Sequence, residues 1–142
     1  MRASLMPSSR SLRGCPPASV YALELRHRSW LAKEALPRLL SLLQRQGVAF
    51  CLVQHGWMPR LDELTAPFTY IRWLGRRQDI PDDDYSVVRI NRDAQLDAWA
   101  EQVAGYLRAG VIVYGYFNNH YQGHSPASVR ALQARLAGLD AI

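Results

Sequence analysis

The fold is decided by residues 31–54, LAKEALPRLLSLLQRQGVAFCLVQ, in which two patterns stand side by side. The first pattern is a set of apolar residues spaced for one face of a helix, at Leu31, Ala35, Leu39, Leu42 and Leu43. Pro37 within it predicts a kink or a later helix start, and Gly47 ends the helix. Residues 48–54 are a continuous apolar run, which is typical of a strand covered on both faces. A helix followed by a buried strand is therefore predicted.

The same alternation extends along the chain in both directions. Apolar runs of strand length occupy residues 20–26, 68–74 and 111–117, helical spacing covers residues 94–109 and 125–139, and residues 61–65 are long enough for one helical turn. Strands that alternate with helices form parallel units joined by right-handed crossovers. We therefore predict an α/β fold with four buried parallel strands. Periodicity alone fits a small open sheet as well as half of an eight-stranded barrel, which normally needs about 250 residues.

Length and composition indicate one ordinary folded domain. The chain has 142 residues, of which 49% are hydrophobic and 20% are charged. No segment approaches the roughly 18 uninterrupted apolar residues of a membrane-spanning helix, so integral membrane placement is excluded. Residues 1–19 are rich in Ser, Pro and Arg and lack the apolar core of a secretory signal, so we predict a disordered tail before a single domain at residues 20–142. We expect a cytoplasmic location. Cys15 and Cys51 are too few for a disulfide framework.

The formal net charge of +5 raises the possibility of a nucleic-acid partner. Three of the five excess charges lie in the tail, at Arg2, Arg10 and Arg13, and no helix of the domain carries a sustained basic stripe. Nucleic-acid binding through the tail and through Arg76 and Arg77 is therefore an open but weakly supported alternative.

Polar residues follow the predicted strands, where parallel α/β folds bind their ligands. Glu24 and Arg26 are two residues apart on one strand and point to the same side, so they either pair with each other or hold an anion. Arg72 lies within a predicted buried strand, where a guanidinium must be paired or bind an anion. Asn118 and Asn119 end the last strand and can either bind a ligand or cap the next turn. Trp30 can stack on a base or sugar, or pack on the following helix.

Histidines raise the question of a metal site. His55, His120 and His124 lie on two neighbouring loops, and Glu24 could add a carboxylate, a set suited to zinc or manganese. Their spacing matches no metal-binding motif, so we predict no metal and keep this set as the alternative. The sequence leaves the identity of any cofactor unknown.

Three motifs at the predicted strand ends resemble the YecE-like family, which is catalogued as a domain of unknown function. Residues 24–30, ELRHRSW, resemble the family's E-x-R-x-x-S-W segment, and residues 70–75, YIRWLG, are similar to its Y-x-R-x-H-G strand. Residues 117–119, FNN, followed by Gly123, resemble its F-N-N signature. Leu74 departs from the pattern, because the family usually has His there.

The resemblance implies a fold and only a general function. YecE-like proteins resemble TIM barrels and are about twice as long, so residues 20–140 would correspond to the C-terminal half of such a barrel, and a truncated or wrongly assigned start is one implication. We expect an uncharacterised protein of this family that binds a small anionic or phosphorylated ligand through Glu24, Arg26, Trp30, Arg72, Asn118 and Asn119.

Several alternatives to this function stay open. They are a metal-dependent, phosphodiesterase-like hydrolase, the nucleic-acid-binding module and an inactive remnant. The sequence does not decide whether the protein is an enzyme. Half a barrel exposes strand edges and apolar faces, so a genuinely short chain must form a homodimer, remodel its fold or aggregate.

Overall fold

A computed structural model describes residues 19–56, 58–81 and 84–140, and it has a sheet of four parallel strands in the order β1-β2-β3-β4. The elements in chain order are β1 (Ala22–Leu23), α1 (Ala35–Gln46), β2 (Ala49–Gln54), β3 (Phe68–Trp73), α2 (Asp93–Arg108), β4 (Ile112–Phe117) and α3 (Ser125–Gly138). Short 3₁₀ turns at Arg28–Leu31, Arg77–Asp79 and Asn119–Tyr121 follow β1, β3 and β4. The predicted α/β fold with parallel strands is confirmed.

Helix α1 shows how the local sequence sets an element's limits. It begins at Ala35 rather than at residue 31, which places Pro37 in the first turn, where its missing N–H removes no helical hydrogen bond. It ends at Gly47, which has a left-handed φ of 65° and whose N–H donates to the Gln44 carbonyl oxygen at 3.3 Å. The later start is one of the two outcomes that Pro37 predicts.

The helices cover one face of the sheet and form the core with it. On β2 and β3 this face carries the buried residues Phe50, Leu52, Ile71 and Trp73. The Trp73 ring meets the Trp99 ring of α2 edge to face, with centroids 5.5 Å apart, and stacks on Phe117 at 4.1 Å. Gly115 of β4 makes room for Trp73, because a Cβ atom there would lie 2.8 Å from the indole ring. The core therefore lies between the sheet and the three helices.

The other face of the sheet, which we call the open face, has no helix over it in the described part of the chain. It carries Ile112, Tyr114 and Tyr116 of β4, with 57%, 43% and 53% of their surface exposed. The prediction of four buried strands is therefore wrong for β4 and also for β1, whose residues Ala22 and Leu23 are both exposed. The apolar run predicted the strand correctly, but β4 lies at the edge of the sheet and its outward-facing side chains meet no covering element.

Two further segments differ from the sequence-based expectation. Strand β1 pairs with β2 only at Ala22 and Leu23 and is shorter than the predicted 20–26, because the chain leaves the strand at Glu24, whose side chain binds Arg26 and Arg72. Residues 61–65 form no helical turn. Instead, the Thr65 hydroxyl donates to the Val48 carbonyl oxygen at 2.6 Å and accepts the Phe50 N–H at 2.7 Å, which ties this segment to β2.

The predicted tail lies outside the described residues except for Ser19, as does Cys15. None of the helices in the described ranges has the length and apolar character needed to cross a membrane.

Candidate functional site

A cavity of about 370 Å³ opens at the carboxyl ends of the strands. We call it the strand-end cavity. Its charged and polar lining residues are Glu24, Arg26, His55, Arg72, Arg77, Asn118 and His120. Four of the six residues that the sequence predicted as ligand-binding, Glu24, Arg26, Arg72 and Asn118, therefore lie in one wall.

Glu24 joins two arginines in this wall. Arg26 donates from one guanidinium nitrogen to Glu24 Oε1 at 2.7 Å, and Arg72 donates to Glu24 Oε2. Arg72 reaches Glu24 across strand β2, where Arg72 lies opposite Val53 and the neighbouring Cys51 lies opposite Tyr70. The sequence prediction that Glu24 and Arg26 point to the same side is confirmed.

The ion cluster changes the acidity of its members. Burial alone would raise the pKa of Glu24, but the hydrogen bonds and charges of Arg26 and Arg72 outweigh burial and hold the pKa below its ordinary value. The hydrogen bond to Glu24 raises the pKa of Arg72. Glu24 therefore stays ionised at neutral pH, and the cluster carries two positive charges and one negative charge.

The two asparagines separate into different roles. Asn118 lines the cavity, and its Oδ1 accepts the His120 backbone N–H at 2.9 Å, which caps the 3₁₀ turn. Asn119 does not line the cavity; its Oδ1 accepts the Ser125 N–H at 3.0 Å at the start of α3. Asn119 therefore agrees with the capping alternative, because its side chain accepts a backbone N–H at the start of α3.

Trp30 also lies away from the cavity. It belongs to the 3₁₀ turn Arg28–Leu31 and is 46% exposed. The structure therefore does not bring Trp30 together with the other predicted ligand-binding residues.

The histidines do not assemble into a metal site. His55 and His120 line the cavity, but His124 Nδ1 lies 2.8 Å from the Tyr85 carbonyl oxygen, and His120 Nε2 lies 3.2 Å from the Tyr85 hydroxyl. Within the described ranges, no group of three or more His, Cys, Asp or Glu side chains could hold a metal ion. This arrangement therefore gives no support to a metal site formed by His55, His120, His124 and Glu24. It gives none to the metal-dependent hydrolase that would require such a site.

Two features of the cavity were not assigned to it from the sequence. Arg77 lines the cavity, whereas the neighbouring Arg76 pairs with Asp79 at 3.1 Å, so these arginines do not form one basic surface. Gly75 has a φ of 67°, and a Cβ atom there would lie 2.0 Å from the His120 carbonyl oxygen. The glycine in the motif at residues 70–75 was the available signal for this close contact between the loops after β3 and β4.

A second, larger cavity of about 690 Å³ lies on the open face and shares Glu24 and Arg72 with the first. Tyr70 and Tyr116 stack here with centroids 4.9 Å apart. Cys51 also lines this cavity, but burial, followed by the charge of Glu24, raises the pKa of its thiol to about 12. The thiol is therefore protonated at neutral pH and is a poor nucleophile, which agrees with a packing role.

Comparison with known proteins gives a family and a fold. The model of the family described as "Protein of unknown function DUF72" matches residues 3–141. A solved DUF72 family protein from Enterococcus faecalis V583 is 19% identical with a TM-score of 0.68, and the alignment covers 85% of this chain and 48% of that one. A DUF72 family protein from Thermotoga maritima MSB8 is 25% identical with a TM-score of 0.61, over 86% of this chain and 46% of that one.

The chain thus spans about half the length of these solved relatives, as expected for part of a barrel. No curated protein matches the chain. The order of the elements, the strand-end motifs and a family match over nearly the whole sequence agree, and the resemblance to the YecE-like family is confirmed. The chain belongs to the DUF72 family of proteins of unknown function.

Proposed function

We propose that the protein binds a small anionic ligand, such as a phosphate monoester, in the strand-end cavity. The observation that carries the proposal is the charge of the wall. Arg26, Arg72 and Arg77 line the cavity, and Glu24 is the one carboxylate among its described lining residues. Arg26 and Arg72 share the single carboxylate of Glu24, so this pair of guanidinium groups carries an excess of positive charge that favours an anion.

Hydrogen-bond donors remain available in this wall. A guanidinium has five N–H donors, and the described residues offer Arg26 and Arg72 no hydrogen-bond acceptor other than Glu24. Asn118 accepts a backbone N–H through Oδ1, so its Nδ2 group can donate to a ligand oxygen. Arginine forks and an amide together suit the oxygens of a phosphate or carboxylate group.

The size and place of the cavity favour a small ligand. Its volume of about 370 Å³ lies near the lower end of the range of roughly 300–1,000 Å³ for small-molecule sites. It lies at the carboxyl ends of parallel strands, where α/β folds place their ligands whichever reaction they perform.

The first test is the binding of inorganic phosphate and pyrophosphate, measured by isothermal titration calorimetry. We expect Arg72→Ala to weaken binding about tenfold or more, because a hydrogen bond to a charged group contributes about 1.5–3 kcal/mol. Arg130→Ala is the matched control, since it removes the same charge from an exposed position on α3 outside the cavity. Equal affinity in wild type and Arg72→Ala, or an equal loss in Arg130→Ala, would contradict the proposal.

A second variant separates ligand binding from a structural role of the ion cluster. Glu24→Gln keeps the side-chain shape but removes the charge that Arg26 and Arg72 share. We expect this variant to bind phosphate severalfold more tightly, because both guanidiniums become available to the anion. Both a structural and a binding role predict a less stable variant, but a cluster that only holds the strands together predicts phosphate binding no tighter than in wild type. Circular dichroism of both variants shows whether the fold is kept.

A further inference from the structure

We propose that a second copy of this chain covers the open face, so that two copies close into one eight-stranded barrel. In the described part of the chain, the helices cover only the opposite face. Ile112, Tyr114 and Tyr116 are 57%, 43% and 53% exposed, and they lie side by side on the same strand. A contiguous apolar patch of this kind marks an interaction surface.

The strand edges permit this closure. Among the described residues, β1 pairs only with β2 and β4 pairs only with β3, so each has one edge without a strand beside it. Consider a two-fold axis that lies between the two copies and is parallel to their strands. Rotation about this axis places β4 of each copy beside β1 of the other. All eight strands then run parallel, and both seams close by the same contact, which is the geometry of a closed symmetric dimer.

The open face carries aromatic side chains near one strand edge, and the two-fold rotation sets that edge beside the opposite edge of the other copy. Bulky residues lie on β3 and β4, where Tyr70 stacks on Tyr116 and Phe68 meets Tyr114 edge to face at 6.1 Å. On β1 and β2 the same face carries Ala22 and Cys51, with Val20 before Ala22 and Glu24 after it. Rotation brings the β4 edge of one copy against the β1 edge of the other at both seams, so the exposed tyrosines of β4 would lie beside the exposed Val20 and Ala22.

The length of the solved relatives agrees with this assembly. The chain aligns with about half of each relative, so two copies together reach about the length of one. Because the rotation axis runs along the strands, the two strand-end cavities would open at the same end of the barrel. The dimer does not depend on the proposed ligand, and its test uses no ligand.

The test is the molecular mass of the purified chain in solution, by analytical ultracentrifugation and native mass spectrometry. We expect twice the 16.1 kDa of one chain. Ile112→Asp places a charge on the open face at a position that is exposed in a single copy, so we expect a folded monomer. Val129→Asp is the matched control, since Val129 is a 38% exposed β-branched residue on α3, and this variant should remain a dimer.

Hydrogen exchange then distinguishes this dimer from one formed through another surface. Amides of β1 and β4 should exchange more slowly at protein concentrations where the dimer forms, and Ile112→Asp should remove this protection. A wild-type monomer, irregular aggregates, or a dimer that Ile112→Asp leaves intact would each overturn the proposal.

Discussion

Glu24 shows at the scale of one residue how ionisation and stability are linked. Its pKa is below the ordinary value of 4.5 because the arginines outweigh the effect of burial. The stabilisation from this carboxylate is therefore fully present above pH 4.5 and is lost as the pH falls through the lower pKa of the folded state. We predict that wild type is more stable than Glu24→Gln near neutral pH and that the difference shrinks as the pH falls below about 4.5. Urea denaturation of both proteins at a series of pH values measures this difference in the free energy of unfolding.

The control for this experiment is Glu101→Gln, the same isosteric change at an exposed position on α2 where the described residues provide no ion pair. It should leave the free energy of unfolding nearly unchanged. A difference between wild type and Glu24→Gln that is constant from neutral to acidic pH would show that the ion cluster does not hold the carboxylate in its charged form.

At the scale of elements, α3 contacts α2 through ion pairs and the core through apolar side chains, so the two contributions to its stability can be compared. Arg135 binds Asp93 at 2.8 Å and Asp97 at 2.5 Å on α2, but these carboxylates are 59% and 65% exposed. Leu136, the next residue, is 6% exposed in the core. We predict that Leu136→Ala lowers the free energy of unfolding by about 2–5 kcal/mol, and that Arg135→Ala lowers it by at most about 1 kcal/mol. Urea denaturation of both variants measures the two changes in the free energy of unfolding. A larger decrease in Arg135→Ala than in Leu136→Ala would mean that the ion pairs contribute more than apolar packing.

The elements also show how far the sequence predicts the fold. The limits of β2, β3 and α2 agree with their apolar patterns to within one or two residues, because these elements are buried on the faces that the patterns mark. Strands β1 and β4 have equally apolar sequences but lie at the edges. Burial at an edge depends on what another element or another chain supplies, and no local pattern contains that information.

In the candidate site, too, some positions could be predicted from the sequence and others could not. Glu24, Arg26, Arg72 and Asn118 could be predicted to meet because one rule, that parallel strands end at a common edge, brings them together. The direction of the Asn119 side chain depends on a turn geometry that residue type does not determine. Arg77 enters the cavity through the path of an irregular loop, for which periodicity gives no prediction.

At the scale of the whole molecule, an aromatic cluster joins the sheet to the helices. Trp99 of α2 is fully buried, meets Trp73 of β3 and donates its indole N–H to Gln54 Oε1 of β2 at 2.7 Å. We predict that Trp99→Phe lowers the free energy of unfolding by roughly 1–3 kcal/mol, because it removes volume and leaves the Gln54 oxygen without this donor.

The matched control is Trp30→Phe, the same change at a residue that is 46% exposed, and it should alter the free energy of unfolding by less than about 0.5 kcal/mol. Guanidinium denaturation followed by circular dichroism compares the two variants. Equal losses would mean that the helix-covered face is not the main source of stability. A large decrease in the free energy of unfolding that occurs only in Trp99→Phe would mean that packing on the helix-covered face is the main source of stability. The ion cluster and the exposed tyrosines of the opposite face would then contribute less to folding than the aromatic cluster does and would be available for binding.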